Sequence, residues 1–216
     1  MAEIDWGEAR RYLGLHKPGG TVDAGLDAAL RACGAELESV ARPRAVWRRY
    51  PLAWGEGTVS FAGIDTASTH LRRHLDGCGE VFLFAATLGA ETDRLLRRWS
   101  VQDVSRAVMV QACAAALLEA YCDECCARLA REVRGEGLYL RPRFSPGYGD
   151  FDVACQRALL AAVEGPKRIG LTATEHMMLS PTKSVTAVVG LTTDAARCDP
   201  RGCEACGKRD CAFRRT

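Results

Sequence analysis

The sequence lacks most of the features that would assign it to a class quickly. It has almost no charge excess, with 29 Lys and Arg against 27 Asp and Glu in 216 residues and a formal net charge of +2. Neither nucleic acid nor an anionic membrane is therefore an expected partner. The opening Met1-Ala2-Glu3-Ile4-Asp5-Trp6 has no basic start followed by an apolar core, so it does not read as a secretory signal. The longest largely apolar stretch, residues 81–90, is too short to cross a bilayer. These absences make a cytoplasmic protein the expectation. There is no internal repeat and no low-complexity linker. Walker loop, dinucleotide fingerprint, His-Glu-x-x-His pair and nucleophile–base triad are all missing as well. What remains is an ordinary globular composition, 48% hydrophobic and 26% charged, at a length that suits one domain with an appendage.

Cysteine is not scarce. There are 11, and their distribution is uneven. Seven are spread from Cys33 to Cys155, whereas Cys198-x4-Cys203-x2-Cys206-x4-Cys211 packs four into the tail. In a reducing compartment such thiols are free or bind metal. The tail spacing admits an iron–sulfur cluster, a zinc site or no metal at all: its first three cysteines match a plant-type ferredoxin start, but the fourth lies too close. Cys122-x-x-Cys125 is a weak redox or metal signal, and both residues fall on an apolar helical stripe, where core packing is the simpler account. Residues 1–196 are expected to form the main domain and 197–216 a metal-binding tail.

The periodicity predicts an α+β fold, with a mainly antiparallel, curved sheet covered by helices. A short helix is expected over residues 5–13, closed by Gly14. A second begins at a Thr21 cap, carries Leu26, Leu30, Cys33, Leu37 and Val40, and stops before Pro43. Strands are expected at 45–50, 58–62, 81–86, 168–172 and 184–192. Helices are expected at 89–99, at 104–133 with a stripe of Val104, Val108, Gln111, Ala115, Leu118, Cys122, Cys125 and Leu129, and at 153–163, closed by Gly165-Pro166.

The most informative segment is the loop Arg141-Pro-Arg-Phe-Ser-Pro-Gly-Tyr-Gly-Asp150. Arginine offers a planar fork for a carboxylate. Glycine lets a ligand approach the main chain, and tyrosine adds a ring face and a hydroxyl. The loop suits a small zwitterion carrying an aromatic group; a tight surface turn with solvated arginines is the alternative on chemistry alone.

Arg143-x-x-x-Gly147-Tyr148 resembles the Arg-x-x-x-Gly-Tyr signature of the reactivation (activation) domain of cobalamin-dependent methionine synthase, which binds S-adenosylmethionine. Further segments are similar in the same order. The run Ile169 through Met178 resembles the family's Leu-Thr-Glu-Ser segment, Pro181-Thr-Lys-Ser-Val-Thr-Ala its Pro-x-x-Ser-Val-Ser run, and Ile4-Asp5-Trp6 an Ile-Asp-Trp at its N-terminal edge. Leu118-Glu119-Ala120-Tyr121 fits its ligand-binding glutamate. The resemblance is dense over residues 138–193. It implies that Arg143 takes the ligand carboxylate and that Asp5 and Glu119 take the ammonium or ribose hydroxyls. Gly147 would meet the adenine edge, and Tyr148 would sit at the reacting methyl group. Where the large enzyme continues Pro-Ala-Cys-Pro after the tyrosine, this chain has Gly149-Asp150-Phe151-Asp152.

The resemblance also implies a missing component. None of His16, His70, His74 and His176 lies in the Asp-x-His-x-x-Gly motif of corrinoid-binding modules. Cobalamin would arrive on a partner, a methionine synthase or another corrinoid protein, with an electron from a flavodoxin- or ferredoxin-type donor. An iron–sulfur cluster in the tail could relay that electron. The alternative function is a non-catalytic binding or assembly factor.

Overall fold

The computed structural model describes residues 2–15 and 23–198. In chain order the elements are α1 (Trp6–Tyr12), α2 (Ala24–Val40), β1 (Arg44–Pro51), β2 (Ala53–Trp54), β3 (Val59–Phe61), β4 (Ile64–Thr66), α3 (Thr69–Leu75), β5 (Cys78–Thr87), α4 (Ala90–Gln102), α5 (Val104–Arg134), β6 (Tyr139–Leu140), α6 (Cys155–Ala162), α7 (Gly165–Ile169), β7 (Thr172–Ala173), β8 (Leu179–Ser180) and β9 (Ser184–Thr192). A short 3-10 turn, Ala195–Arg197, follows.

The main sheet has the order β1-β5-β9-β6, and every pairing in it is antiparallel. The continuous apolar run in β5 follows from burial on both faces. Phe82, Phe84 and Ala86 point to one side with Ala187, Val189 and Leu191 of β9, into a core shared with Leu30, Leu37, Leu117 and Leu129 of α2 and α5. Val81, Leu83 and Ala85 point to the other side, among Leu71, Phe151, Leu159 and Ile169. The period of two thus sorts one strand into two cores. Each large side chain so buried contributes roughly 1.5–3 kcal/mol. The expected α+β fold with an antiparallel sheet covered by helices is the observed one.

Several local expectations need correction. The cap of α2 is Asp23, whose carboxylate accepts from the Leu26 amide at 3.0 Å; Thr21 lies outside the described residues. Residues 59–61 form β3 in a separate small sheet with β2 and β4. Gly165 does not terminate a helix. It opens α7, with Pro166 in the first turn where its missing N–H is harmless, and the break is made by Glu164 at φ +56°. The strand expected at 168–172 shrinks to β7, because α7 runs to Ile169.

The expected stripe on α5 holds only in part. Leu118, Cys122, Cys125 and Leu129 are buried, but Val104 and Val108 are 68% and 51% exposed and Gln111 is exposed. Val110, Cys113, Ala114 and Leu117 are buried instead. Small and apolar residues fill nearly every position of that half, so periodicity alone does not choose a face, and packing against α1, α2 and α4 decides it. By length and composition α5 is also long and apolar enough to cross a bilayer, although polar residues interrupt its apolar run. Its buried side chains belong to the core just described.

Candidate ligand site on the Arg143 loop

Residues 141–152 follow the edge of β9, with the Arg143 side chain turned toward α5 and Phe144 and Phe151 packed in the core on the opposite face of the sheet, and they are pinned at both ends. The Arg141 amide donates to Gly190 O at 2.8 Å, and Phe144 exchanges two backbone hydrogen bonds with Val188 at 2.9 and 2.8 Å. Arg141 Nε donates to His74 O at 2.8 Å, and a second guanidinium nitrogen donates to Arg197 O. Arg141 is thus spent on main-chain carbonyls. At the other end, the Asp150 carboxylate accepts from the amides of Thr69 at 2.7 Å and His70 at 3.0 Å, and from Ser68 Oγ. The Ser68 hydroxyl leads these bonds in holding the Asp150 pKa far below the usual carboxylate range. Asp150 lies within the stretch that departs from the large enzyme, and its role is to tie the loop to the first turn of α3.

Between the anchors the chain turns tightly. Gly147 N donates to Phe151 O at 2.7 Å, and Gly147 sits at φ +88°, a conformation that glycine adopts without strain. A Cβ there would meet nothing nearer than Val153 at 3.9 Å, so the main chain is uncovered on that side. Phe151 is buried, and Phe144 stacks obliquely between His74 and Phe151. Tyr148 meets the Phe144 ring edge-on at 6.0 Å and is 71% exposed, displaying its ring to solvent.

On the α5 side of the sheet, Glu119, Asp123 and Cys126 are spaced so that they share one face of the helix. Arg143 reaches down to them. One terminal nitrogen binds Glu119 Oε2 at 2.7 Å. The other binds Asp123 Oδ1 at 2.7 Å and lies 3.6 Å from Cys126 Sγ. The arginine side chain is 18% exposed, against 45% for Glu119 and 73% for Asp123. Burial opposes the guanidinium charge, but the anionic neighbours, the Cys122 and Cys126 thiolates at high pH and Asp123 throughout, outweigh it and keep the Arg143 pKa above its ordinary value. Burial also raises the pKa of both thiols, so at neutral pH they are protonated and the carboxylates do the holding. Tyr12, at the end of α1, joins the cluster: burial first, then the charge of Glu119, raises its phenol pKa.

Of the residues singled out in the sequence, Arg143 and Glu119 are brought together, and Gly147 and Tyr148 lie on the same loop. Asp5 is not joined to them. It caps α1, accepting from the Glu8 amide at 3.1 Å, and has no hydrogen bond or ion pair with Arg143, Glu119 or Tyr148. Asp123 and Tyr12 went unnoticed in the sequence, and Cys126 was noticed only as a neighbour of Cys122 and Cys125; the one available signal was the position of Asp123, one helical turn after Glu119. Cys198 is half-buried with its thiol 3.6 Å from Asp194 O, while Cys203, Cys206 and Cys211 lie outside the described residues. Among the described residues no group of His, Cys, Asp and Glu forms a metal site. Cys122 and Cys125 are fully buried, as core packing requires. A cavity of about 630 Å³ lies elsewhere, between α4, the start of α5 and Thr182.

The fold built around this loop is shared. The crystal structure of the MetH reactivation domain bound to AdoHcy superposes with a TM-score of 0.68, covering 89% of this chain and 75% of that one at 20% sequence identity. The chain has the reactivation-domain fold. No family model matches it, and no curated protein matches its sequence.

Proposed function

We propose that the chain binds S-adenosylmethionine on the Arg143 loop and holds its methyl group toward a corrinoid carried by a partner protein. The observation that carries this reading is the mostly buried Arg143 beside two carboxylates, on the same loop as an exposed Tyr148 and an uncovered Gly147 main chain. The superposed reactivation domain was crystallised with AdoHcy. The donor set fits an α-amino acid: Arg143 takes the carboxylate and Glu119 the ammonium. Gly147 leaves room for an adenine edge, and Tyr148 orients the outer face and limits water there.

Bound S-adenosylmethionine supplies an electrophilic methyl group. The residues of this chain bind and orient it, and the arrangement needs no general base. Asp5, about 10 Å along α1 from Tyr12 at 1.5 Å per residue, caps that helix, and its remaining carboxylate oxygen suits the ribose hydroxyls better than the amino-acid end. The partner is a cobalamin-carrying methionine synthase or another corrinoid protein, with a flavodoxin- or ferredoxin-type electron donor. The tail cysteines fit an iron–sulfur cluster or zinc. Their root lies beside the loop, since Arg141 binds the carbonyl of Arg197, and Arg197 pairs with Asp76 at 2.6 Å. Iron, sulfide and zinc analysis of anaerobically prepared protein decides between the two.

Calorimetric titration with S-adenosylmethionine should show saturable binding that Arg143→Ala weakens by at least roughly tenfold, as expected for losing a charge-assisted pair. Saturable binding unaffected by Arg143→Ala would place the ligand elsewhere. Reductive methylation of a corrinoid partner, lost in Arg143→Ala, separates turnover from binding alone.

A further inference from the structure

We propose that Asp123 is a built-in competitor for the carboxylate subsite. It occupies one end of the Arg143 fork until the carboxylate of an amino-acid ligand takes its place, and so sets the threshold for binding. The inference rests on the reading of Arg143 as the carboxylate partner.

A carboxylate bound to arginine with two hydrogen bonds needs two parallel N–H groups. Of the two terminal nitrogens of Arg143, one is bound to Glu119 and the other to Asp123, with Cys126 Sγ close to the latter. An incoming carboxylate that uses the outer end of the fork therefore displaces one of the two acids. The two are not equivalent. Glu119 is half-exposed and also faces Tyr12 of α1, whose phenol senses its charge. Asp123 is 73% exposed, one turn further along α5, and Arg143 is its one ion-pair partner among the described residues. A single rotation about its side chain returns the carboxylate to water with no other bond lost. Arg143 remains tethered by Glu119 when Asp123 leaves, so the site keeps its shape while its outer anion is exchanged for that of the ligand.

Two consequences distinguish this from a structural ion pair. Asp123 should weaken only ligands that bring a carboxylate, and removing its charge should tighten them. An exposed pair of this kind corresponds to roughly a two- to fivefold change in an equilibrium constant. Asp123→Asn keeps the shape and removes the charge. Glu119→Gln is the contrasting variant, because Glu119 is assigned to the ligand ammonium and its loss should weaken binding.

The test is to titrate S-adenosylhomocysteine and 5′-methylthioadenosine, which lacks the amino-acid portion, into the full-length protein and these two variants. The expected result is about two- to fivefold tighter S-adenosylhomocysteine binding in Asp123→Asn, weaker binding in Glu119→Gln, and unchanged methylthioadenosine affinity in Asp123→Asn. Unchanged or weaker S-adenosylhomocysteine binding in Asp123→Asn overturns the competitor while leaving the ligand site standing. An equal gain for both nucleosides overturns it too, since the effect would not depend on a carboxylate. If none of the three proteins binds S-adenosylhomocysteine, the ligand reading falls and the competitor with it.

Discussion

The two halves of α5 differ in how their composition chooses the buried face. The first half, to Leu118, is the more apolar and buries more of its residues, yet it leaves Val104 and Val108 exposed, Val108 in the lining of the 630 Å³ cavity. The second half is rich in charge, yet it buries Cys122, Cys125, Leu129 and Val133 almost completely and holds the Glu119–Asp123–Arg143 cluster. Charges that must stay wet fix the rotation of the second half, and the remaining face has to be core. The first half has no such constraint on which face turns inward. The candidate chemistry accompanies the charged, well-ordered face and not the larger hollow.

The comparison can be broken most forcefully in the core. Leu129→Ala, at a fully buried site in the charged half, should destabilise the protein by about 2–5 kcal/mol in denaturant unfolding. A loss well under 1 kcal/mol would mean that this half is not packed as described. Asp150→Asn should lower the melting temperature by freeing the loop from α3. Its pH signature is specific. The Asp150 pKa is depressed in the folded protein, so its contribution is fully present above the unfolded carboxylate value of about 3.9 and declines as pH falls below it. The variant should lose stability at neutral pH and show a flatter acid limb than the parent. An identical acid limb would remove Asp150 from the account of the loop. The smallest effect belongs to the apolar half. Val108→Ser should change stability by no more than about 0.5 kcal/mol, as for other exposed positions; a core-sized loss would show that the valine is covered in solution.

Where one physical rule acts alone, the elements could be read in advance. The strand at Ser184–Thr192 follows from its apolar run, and α1 from its Asp5 cap and the Gly14 close. Where two rules compete they could not. Gly165-Pro166 reads as a stop, yet the same pair opens a helix when the preceding Glu164 takes the left-handed conformation. The site was legible through Arg143, Gly147 and Tyr148, which are close in sequence and chemically distinctive. Glu119 was reachable through a short match, and the structure joins it to Arg143. Asp123 and Tyr12 were hard to read, because they acquire a role only when α1 packs on α5 and Arg143 reaches that helix, long-range events that the spacing of Asp123 after Glu119 only hints at. Asp5 caps α1, a local role that its position before the helix explains by itself.

The central claim is that the Arg143 loop, and not the cavity at the start of α5, takes the nucleoside ligand. Amide hydrogen exchange with and without saturating S-adenosylhomocysteine tests it directly, because each region reports its own opening. The account predicts added protection over residues 143–151 and the turn of α5 around Glu119 and Asp123, with none around Leu96, Val108 and Thr182. Protection confined to the cavity residues would contradict it.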